Sequence, residues 1–167
     1  MNKRPDIEEL RSILDLNENT GVLRWKKKIA KKVVVGAEAG RTMRHGYRTI
    51  QVNKIRLLSH HIVFAFTHNW WPKEVDHINN NPSDNRPCNL REATRSQNNW
   101  NMRKPVHNTS GIKGVFKQRK GTTWTVRLKI CNKLYRVGKF QTAELASEFL
   151  DLFRSMAHGE FANNGAY

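Results

Sequence analysis

A chain of 167 residues with 30 Lys and Arg against 14 Asp and Glu carries a net charge of +16, which makes a polyanion its expected partner. A membrane is set aside, because no segment approaches the ~18 apolar residues needed to span a bilayer and the acid-bearing N-terminus lacks the apolar core of a signal peptide. The only two cysteines, Cys88 and Cys131, exclude a disulfide framework and a four-cysteine zinc site, and 38% hydrophobic residues feed two modest cores better than one large one.

The charge is uneven. From Arg24 to Arg56 there are eleven Lys and Arg and one acid, Glu38, and between Glu92 and Glu144 there are twelve and no acid. Two basic zones bracketing a compact acid-containing segment point to nucleic acid rather than to a merely solvated face.

In chain order, Pro5 to Leu16 places Ile7, Leu10, Ile13 and Leu14 at helical spacing with acids in its first turn. Asn19 to Gly21 reads as a turn, Val22 to Trp25 as a short strand and Lys26 to Lys32 as a basic loop, of which Lys27 and Lys28 are candidate DNA contacts. Tyr47 to Val52 and Ile55 to Leu58 read as paired strands around Asn53-Lys54. His60 to Thr67 reads as a helix packed through Ile62, Val63 and Phe66, ended by Trp70-Trp71-Pro72. Asn101 to Ser110 is polar, basic and proline-bearing, as a linker is. Beyond it, Gly114 to Lys117, Trp124 to Ile130 and Leu134 to Phe140 are three expected strands, with turns at Gly121 and Asn132-Lys133. Thr142 caps an expected helix from Ala143 to about His158, its apolar side formed by Leu145, Ala146, Phe149, Leu152, Phe153 and Met156.

The densest polar constellation is Val75 to Thr94, followed by Gln97-Asn98. Asparagine and aspartate accumulate wherever a loop braces itself, so a well-tied surface loop is the plain reading. The combination says more: a carboxylate adjoins a histidine at a strand end, a long asparagine-rich loop follows, and a carboxamide sits on the next helix. Cutting a phosphodiester needs a base for water, a cation for the phosphate charge and a group that fixes the tautomer of the base. His77 suits the first role, the oxygens of Asp76 and Asn98 suit Mg²⁺ with positions left for water and phosphate, and Asn89 is expected to hold the ring of His77.

The run V-D-H-I-N-N-N, then D-N-R-P-C-N-L-R-E-A-T, then Q-N-N-W-N resembles the HNH endonucleases of the ββα-metal (His-Me finger) fold, above all the asparagine-ending branch of phage homing endonucleases. The resemblance implies Asp76 and Asn98 as metal ligands, His77 as general base and Asn89 as the residue that orients it. Asn85 would brace the loop, and Arg91 would fix strand geometry or approach phosphate. An asparagine in the last position favours Mg²⁺, with Mn²⁺ as substitute, over zinc; no structural zinc is expected. G-Y-R-T-I-Q-V and L-S-H-H-I-V-F-A-F resemble the lead-in of the same enzymes, and His60 falls on their recurrent histidine, read here as a core or helix-cap residue.

In the second unit, strand alternation puts Trp124, Val126, Leu128 and Ile130 on an apolar face and Thr125, Arg127 and Lys129 on an open basic face, with Val137 in the core and Arg136 turned outward. Such a sheet can dock on DNA. The segment, through S-G-I-K-G-V, the Trp124 strand, Y-R-V-G-K-F-Q-T-A-E-L-A-S-E-F and H-G-E-F-A, resembles the Apetala-two/ethylene-response-factor DNA-binding domain. Arg127, Lys129 and Arg136 match its DNA-facing positions, and Lys113, Lys117, Arg119 and Lys120 are further candidates. Phe116 stands where plant members carry arginine, and the first turn differs in length.

The expected fold is thus α+β: a nuclease module over 1–102 with its ββα-metal core at about 73–102, a linker over 103–111, a three-stranded antiparallel sheet plus helix over 112–162, and a tail over 163–167. The expected function is metal-dependent hydrolysis of double-stranded DNA by a phage-encoded enzyme acting in the bacterial cytoplasm, one strand per engagement, as a monomer with a dimer as the alternative. The rival is a DNA-binding regulator with a vestigial nuclease loop. An RNA-binding protein is disfavoured because the basic sheet face is read as lacking aromatic residues.

Overall fold

The structure, a computed structural model, describes residues 4–102, 104–105, 107–119, 121–130 and 133–163. By compactness the chain divides into residues 1–94 and 95–167. Among the described residues the elements form a mixed α/β arrangement of four α-helices, short 3-10 segments and small antiparallel sheets.

In the first unit, helix α1 (Ile7–Ile13) starts where the Asp6 carboxylate accepts from the backbone N–H groups of Glu8 and Glu9. The helix stops earlier than its apolar spacing predicts. Leu14 turns extended (ψ 144°), and β1 (Leu14–Asn17) pairs with β2 (Val22–Trp25) from Leu14↔Trp25 to Asn17↔Val22. Leu14 is buried either way, so helical and strand readings bury the same side chain and pairing decides between them.

Strand β3 (Arg41–Thr42) adds to the hairpin of β4 (Arg48–Val52) and β5 (Ile55–Leu58), whose turn places Asn53 and Lys54 at φ 49° and 65°, as a two-residue hairpin turn requires. Helix α2 (Ser59–His68) is buried at Ile62, Val63, Phe64, Ala65 and Phe66, and ends on left-handed Asn69. Strands β6 (Glu74–His77) and β7 (Leu90–Ala93) are antiparallel. Val75 and Leu90 belong to the same core cluster as Leu10, Leu14, Ile50 and Ile62, which fixes this hairpin to the unit. Each such fully buried side chain contributes about 1.5–3 kcal/mol of transfer free energy.

In the second unit, helix α3 (Arg95–Asn101) precedes an antiparallel sheet in the order β10 (Lys133–Phe140), β9 (Trp124–Ile130), β8 (Val115–Lys117). Thr142 caps helix α4 (Ala143–His158) by accepting from Leu145 N–H. The three strands and the final helix agree closely with the sequence reading. The buried side of α4 does not: Leu145, Leu152 and Met156 are exposed, and the buried residues are Ala146, Leu150, Arg154 and His158. Asn163 Nδ2 donates to the Asn101 carbonyl at 2.8 Å, tying the end of the unit to its first helix.

Candidate active site

Antiparallel register sets Asp76 opposite Arg91 and His77 opposite Leu90, so the last two residues of β6 deliver a carboxylate and an imidazole to the mouth of the 78–89 loop. Both side chains are buried, at 3% and 5% exposure. Arg91 Nε donates to Asp76 Oδ2 at 2.9 Å, and Nη2 lies 2.8 Å from the same oxygen.

The loop is braced by its own amides. Asn89 Oδ1 accepts from Asn79 N–H (3.0 Å), and Asn89 Nδ2 donates to Asn79 Oδ1 (3.0 Å) and to the Asp84 carbonyl (2.8 Å). Asn79 Nδ2 donates to Asp84 Oδ2 (2.8 Å), which also forms an ion pair with Arg86. The hydrogen bond from Arg86 pulls the Asp84 carboxyl down to about 2. The carboxamide on the ring of His77 is that of Asn85, with Oδ1 3.0 Å from Nε2. Sequence reading expected Asn89 to hold the ring and Asn85 to brace the loop; in the structure the two exchange places. Both amides sit in the same short, asparagine-rich stretch, and chemistry without geometry does not tell them apart.

The Asn85 carboxamide thus holds the imidazole of His77 in place through Nε2. Burial lowers the His77 pKa below its ordinary value, against the raising effects of Asn85, Asp76 and Asp84, so the ring is neutral at pH 7. Around it stand His60, ring centroid 4.8 Å away and edge-on, and Tyr47 at 5.9 Å. His60 is 3% exposed at the start of α2, and burial with its two histidine neighbours pushes it down to about 2. Sequence reading placed His60 in the core but had no signal for its contact with His77.

The N-terminal hairpin reaches the same loop. Gly21, at φ 70°, lies so close to the backbone of Asn85 that an added Cβ would stand 2.1 Å from the Asn85 carbonyl oxygen. Only glycine permits both this backbone angle and this approach.

Asn98 lies on α3, in the second unit. Among the described residues no group of three or more His, Cys, Asp and Glu could hold a metal ion. The Asp76 carboxylate offers hard oxygens, the donor type that suits a divalent cation retaining several waters.

The other candidates divide by position. Lys27 and Lys28 are exposed in the basic loop. Arg127, Lys129 and Arg136 are exposed on the second sheet, where Arg136 pairs directly with Arg127 across the strands. Like charges in direct register are unfavourable and mark a face kept basic at a cost in stability. That face also carries Phe116, paired with Thr125 and lying under the Arg127 guanidinium at 4.3 Å, which corrects the reading of it as free of aromatics. Lys117 is exposed beside the Trp124 ring, Arg119 is exposed, and Lys120 and the side chain of Ile130 lie outside the described residues. Lys113 is a strut: its ammonium donates to the carbonyls of Trp100, Met102 and Asn163.

A carboxylate and a neutral, amide-held histidine at the head of a braced loop between two antiparallel strands define a class, and residues 58–100 match the family model described as HNH endonuclease. Over 90 residues the chain is 32% identical to Protein 3.8 of Escherichia phage T7, covering 53% of this chain and 72% of that protein, so the chain belongs to one family with Protein 3.8 and carries an HNH endonuclease domain at residues 58–100. No solved structure matches it at a comparable level. The matched region ends before the three-stranded sheet begins.

Proposed function

We propose that the protein is a homing-type DNA endonuclease that hydrolyses phosphodiester bonds of double-stranded DNA, nicking one strand per engagement. The observation that carries this reading is the buried pair of His77 and Asn85 beside Asp76: an imidazole held by a carboxamide, with its pKa lowered by burial, is ready to accept a proton. In this reading His77 takes a proton from water, the resulting hydroxide attacks phosphorus, and the P–O bond to the leaving oxygen breaks. Asp76 and Asn98 would hold one divalent ion, Mg²⁺ by the hardness of its donors, which supplies charge neutralisation at the scissile phosphate. Arg91 keeps the Asp76 carboxylate in place from the neighbouring strand.

The open basic face of the second sheet, with Arg127, Lys129 and Arg136, would grip the duplex away from the cut, in the manner of an Apetala-two-like domain. The Lys27 and Lys28 loop would add phosphate contacts. Binding through many phosphates falls steeply with salt.

The test is plasmid nicking by the purified protein with Mg²⁺, Mn²⁺ or chelator. Conversion of supercoiled to open-circular DNA is expected with metal, abolished by chelator and by His77→Ala, while a mobility shift without metal survives in that variant. A shift with no metal-dependent nicking by the wild-type protein would make it a DNA-binding regulator instead.

A further inference from the structure

Strands β3 and β4 are joined by a three-residue tip. Gly46 N–H donates to the Met43 carbonyl at 3.0 Å and Met43 N–H to the Tyr47 carbonyl at 2.7 Å, so Met43 and Tyr47 close a loop of Arg44, His45 and Gly46. Gly46 sits at φ 84°, in the left-handed conformation that a three-residue hairpin loop assigns to glycine. The tip is also tied to the asparagine-rich loop of the candidate active site. Ser83 Oγ donates to the Gly46 carbonyl at 3.2 Å, and a Cβ at Gly46 would stand 3.0 Å from Ser83 Oγ and 3.1 Å from the Pro82 ring. One residue further on, the Tyr47 ring meets His77 edge-on at 5.9 Å and His60 at 5.4 Å. The tip is thus held at a set place beside the imidazole.

The charge at the tip is uncommitted. Arg44 and His45 are exposed, and among the described residues the Arg44 guanidinium forms no hydrogen bond or ion pair. Arg48, one strand residue away from Tyr47, is the contrasting case: it is engaged by Glu38 and by the carbonyls of Ala39 and Gly40. No acid occurs between Glu38 and Glu74, so the segment brings no neutralising partner of its own. An exposed arginine on a turn is ordinarily just solvated. One held three residues from a tyrosine that packs on the candidate base is placed for more. A duplex carries a phosphate about every 3.4 Å of axis along each strand. A strand that presents its phosphorus to His77 therefore brings neighbouring phosphates past the tip, where a long, forked guanidinium matches their geometry.

We propose that the β3–β4 hairpin tip is a DNA-positioning element of the nuclease unit: Arg44 grips a backbone phosphate next to the scissile one, and Gly46 and Tyr47 set its distance from His77. The proposal rests on the reading of the protein as a DNA endonuclease and adds a contact surface to it, distinct from the Lys27 and Lys28 loop and from the second sheet.

The experiment measures affinity of the full chain for a duplex, without divalent metal, by fluorescence anisotropy across a salt series; the cut position on that duplex is first mapped by nicking. Arg44→Ala should weaken binding roughly tenfold and lower the salt slope by about one, and Arg44→Lys should retain most of the slope. Replacing single phosphates that flank the cut by neutral methylphosphonates should weaken the wild-type protein at one or two positions and have no further effect there on Arg44→Ala. Lys54→Gln removes a charge from the turn at the opposite end of β4 and should leave affinity and slope as they are. Wild-type affinity and slope in Arg44→Ala, an equal loss in Lys54→Gln, or a methylphosphonate penalty that persists at every position in Arg44→Ala overturns the proposal. A wild-type protein that binds without nicking would sink the nuclease reading instead, while the affinity and slope of Arg44→Ala on the same duplex would still decide whether the tip grips phosphate.

Discussion

Asn85 Oδ1 and His77 Nε2 stand 3.0 Å apart in a buried pair, which joins the middle of the loop to the end of strand β6. Removing the amide in Asn85→Ala takes away the carboxamide that holds Nε2 of the ring. Cleavage is expected to fall about 10- to 100-fold, as for other residues that orient a reacting group. Affinity for DNA, measured by mobility shift without metal, should stay unchanged. An equal loss of binding and cleavage would assign Asn85 to the architecture of the loop alone.

The pH dependence follows from burial. Burial lowers the His77 pKa, so the base loses its proton below the ordinary value of 6.5. The single-turnover nicking rate should therefore rise with pH along an acid limb centred below 6.5 and already be flat at neutrality with respect to this group. An acid limb centred above 6.5 would contradict a neutral, buried base.

The neighbouring histidines predict acid lability. His60 is lowered to about 2 and His61 to about 4, both mainly by burial, while in the unfolded chain each titrates near 6.5. The unfolded state then binds protons that the folded state refuses. This contribution to stability is fully present above 6.5 and is lost progressively as pH falls below it. Thermal melts between pH 7 and pH 4 should show a falling Tm, and His60→Gln should flatten the slope. A slope identical to that of the wild type would remove His60 from this account.

Asp76 and Arg91 face each other across β6 and β7, with side chains 4% and 13% exposed. Arg91→Ala removes the ion-pair partner of a buried carboxylate and should cost about 3–5 kcal/mol in a denaturant melt. Asp76→Asn keeps an acceptor for Arg91 and should cost less stability while eliminating metal-dependent nicking. Equal destabilisation by the two changes would mean that the pair contributes mainly by packing.

On the second sheet, Arg136 opposes Arg127 in register. Arg136→Thr removes the like-charge contact and leaves a good strand former. Stability should hold or rise by about 0.2–1 kcal/mol. DNA affinity should weaken and the salt slope should drop by about one. A lower Tm with an unaltered salt slope would show Arg136 to be structural.

Most of the architecture was legible because its signals were local. Asn53-Lys54 between alternating strands, Thr142 before an amphipathic run and the polar constellation from Asp76 to Asn98 each announce themselves within a few residues. What escaped depended on tertiary geometry. Leu14 ends α1 because β2 offers it a strand partner, which apolar spacing does not record. Asn85 and Asn89 exchange places because both are amides in one loop and only its closure separates them. Arg154 and His158 have no place in the apolar side read for α4 yet are buried, since a buried basic residue leaves the same polar mark in a sequence as an exposed one. The exposed Leu145, Leu152 and Met156 are the converse case.

Gly21 belongs to a hairpin and lies more than sixty positions upstream of Asn85, whose backbone it touches, and it lies outside the segment that matches the family model. The chemistry of the matched segment is thus propped from outside itself: the peptide that seats Asn85 leans on a backbone that the motif does not contain. Grafting residues 58–100 alone onto another scaffold would carry over every acid, base and amide of the motif and leave behind the buttress that keeps them aligned.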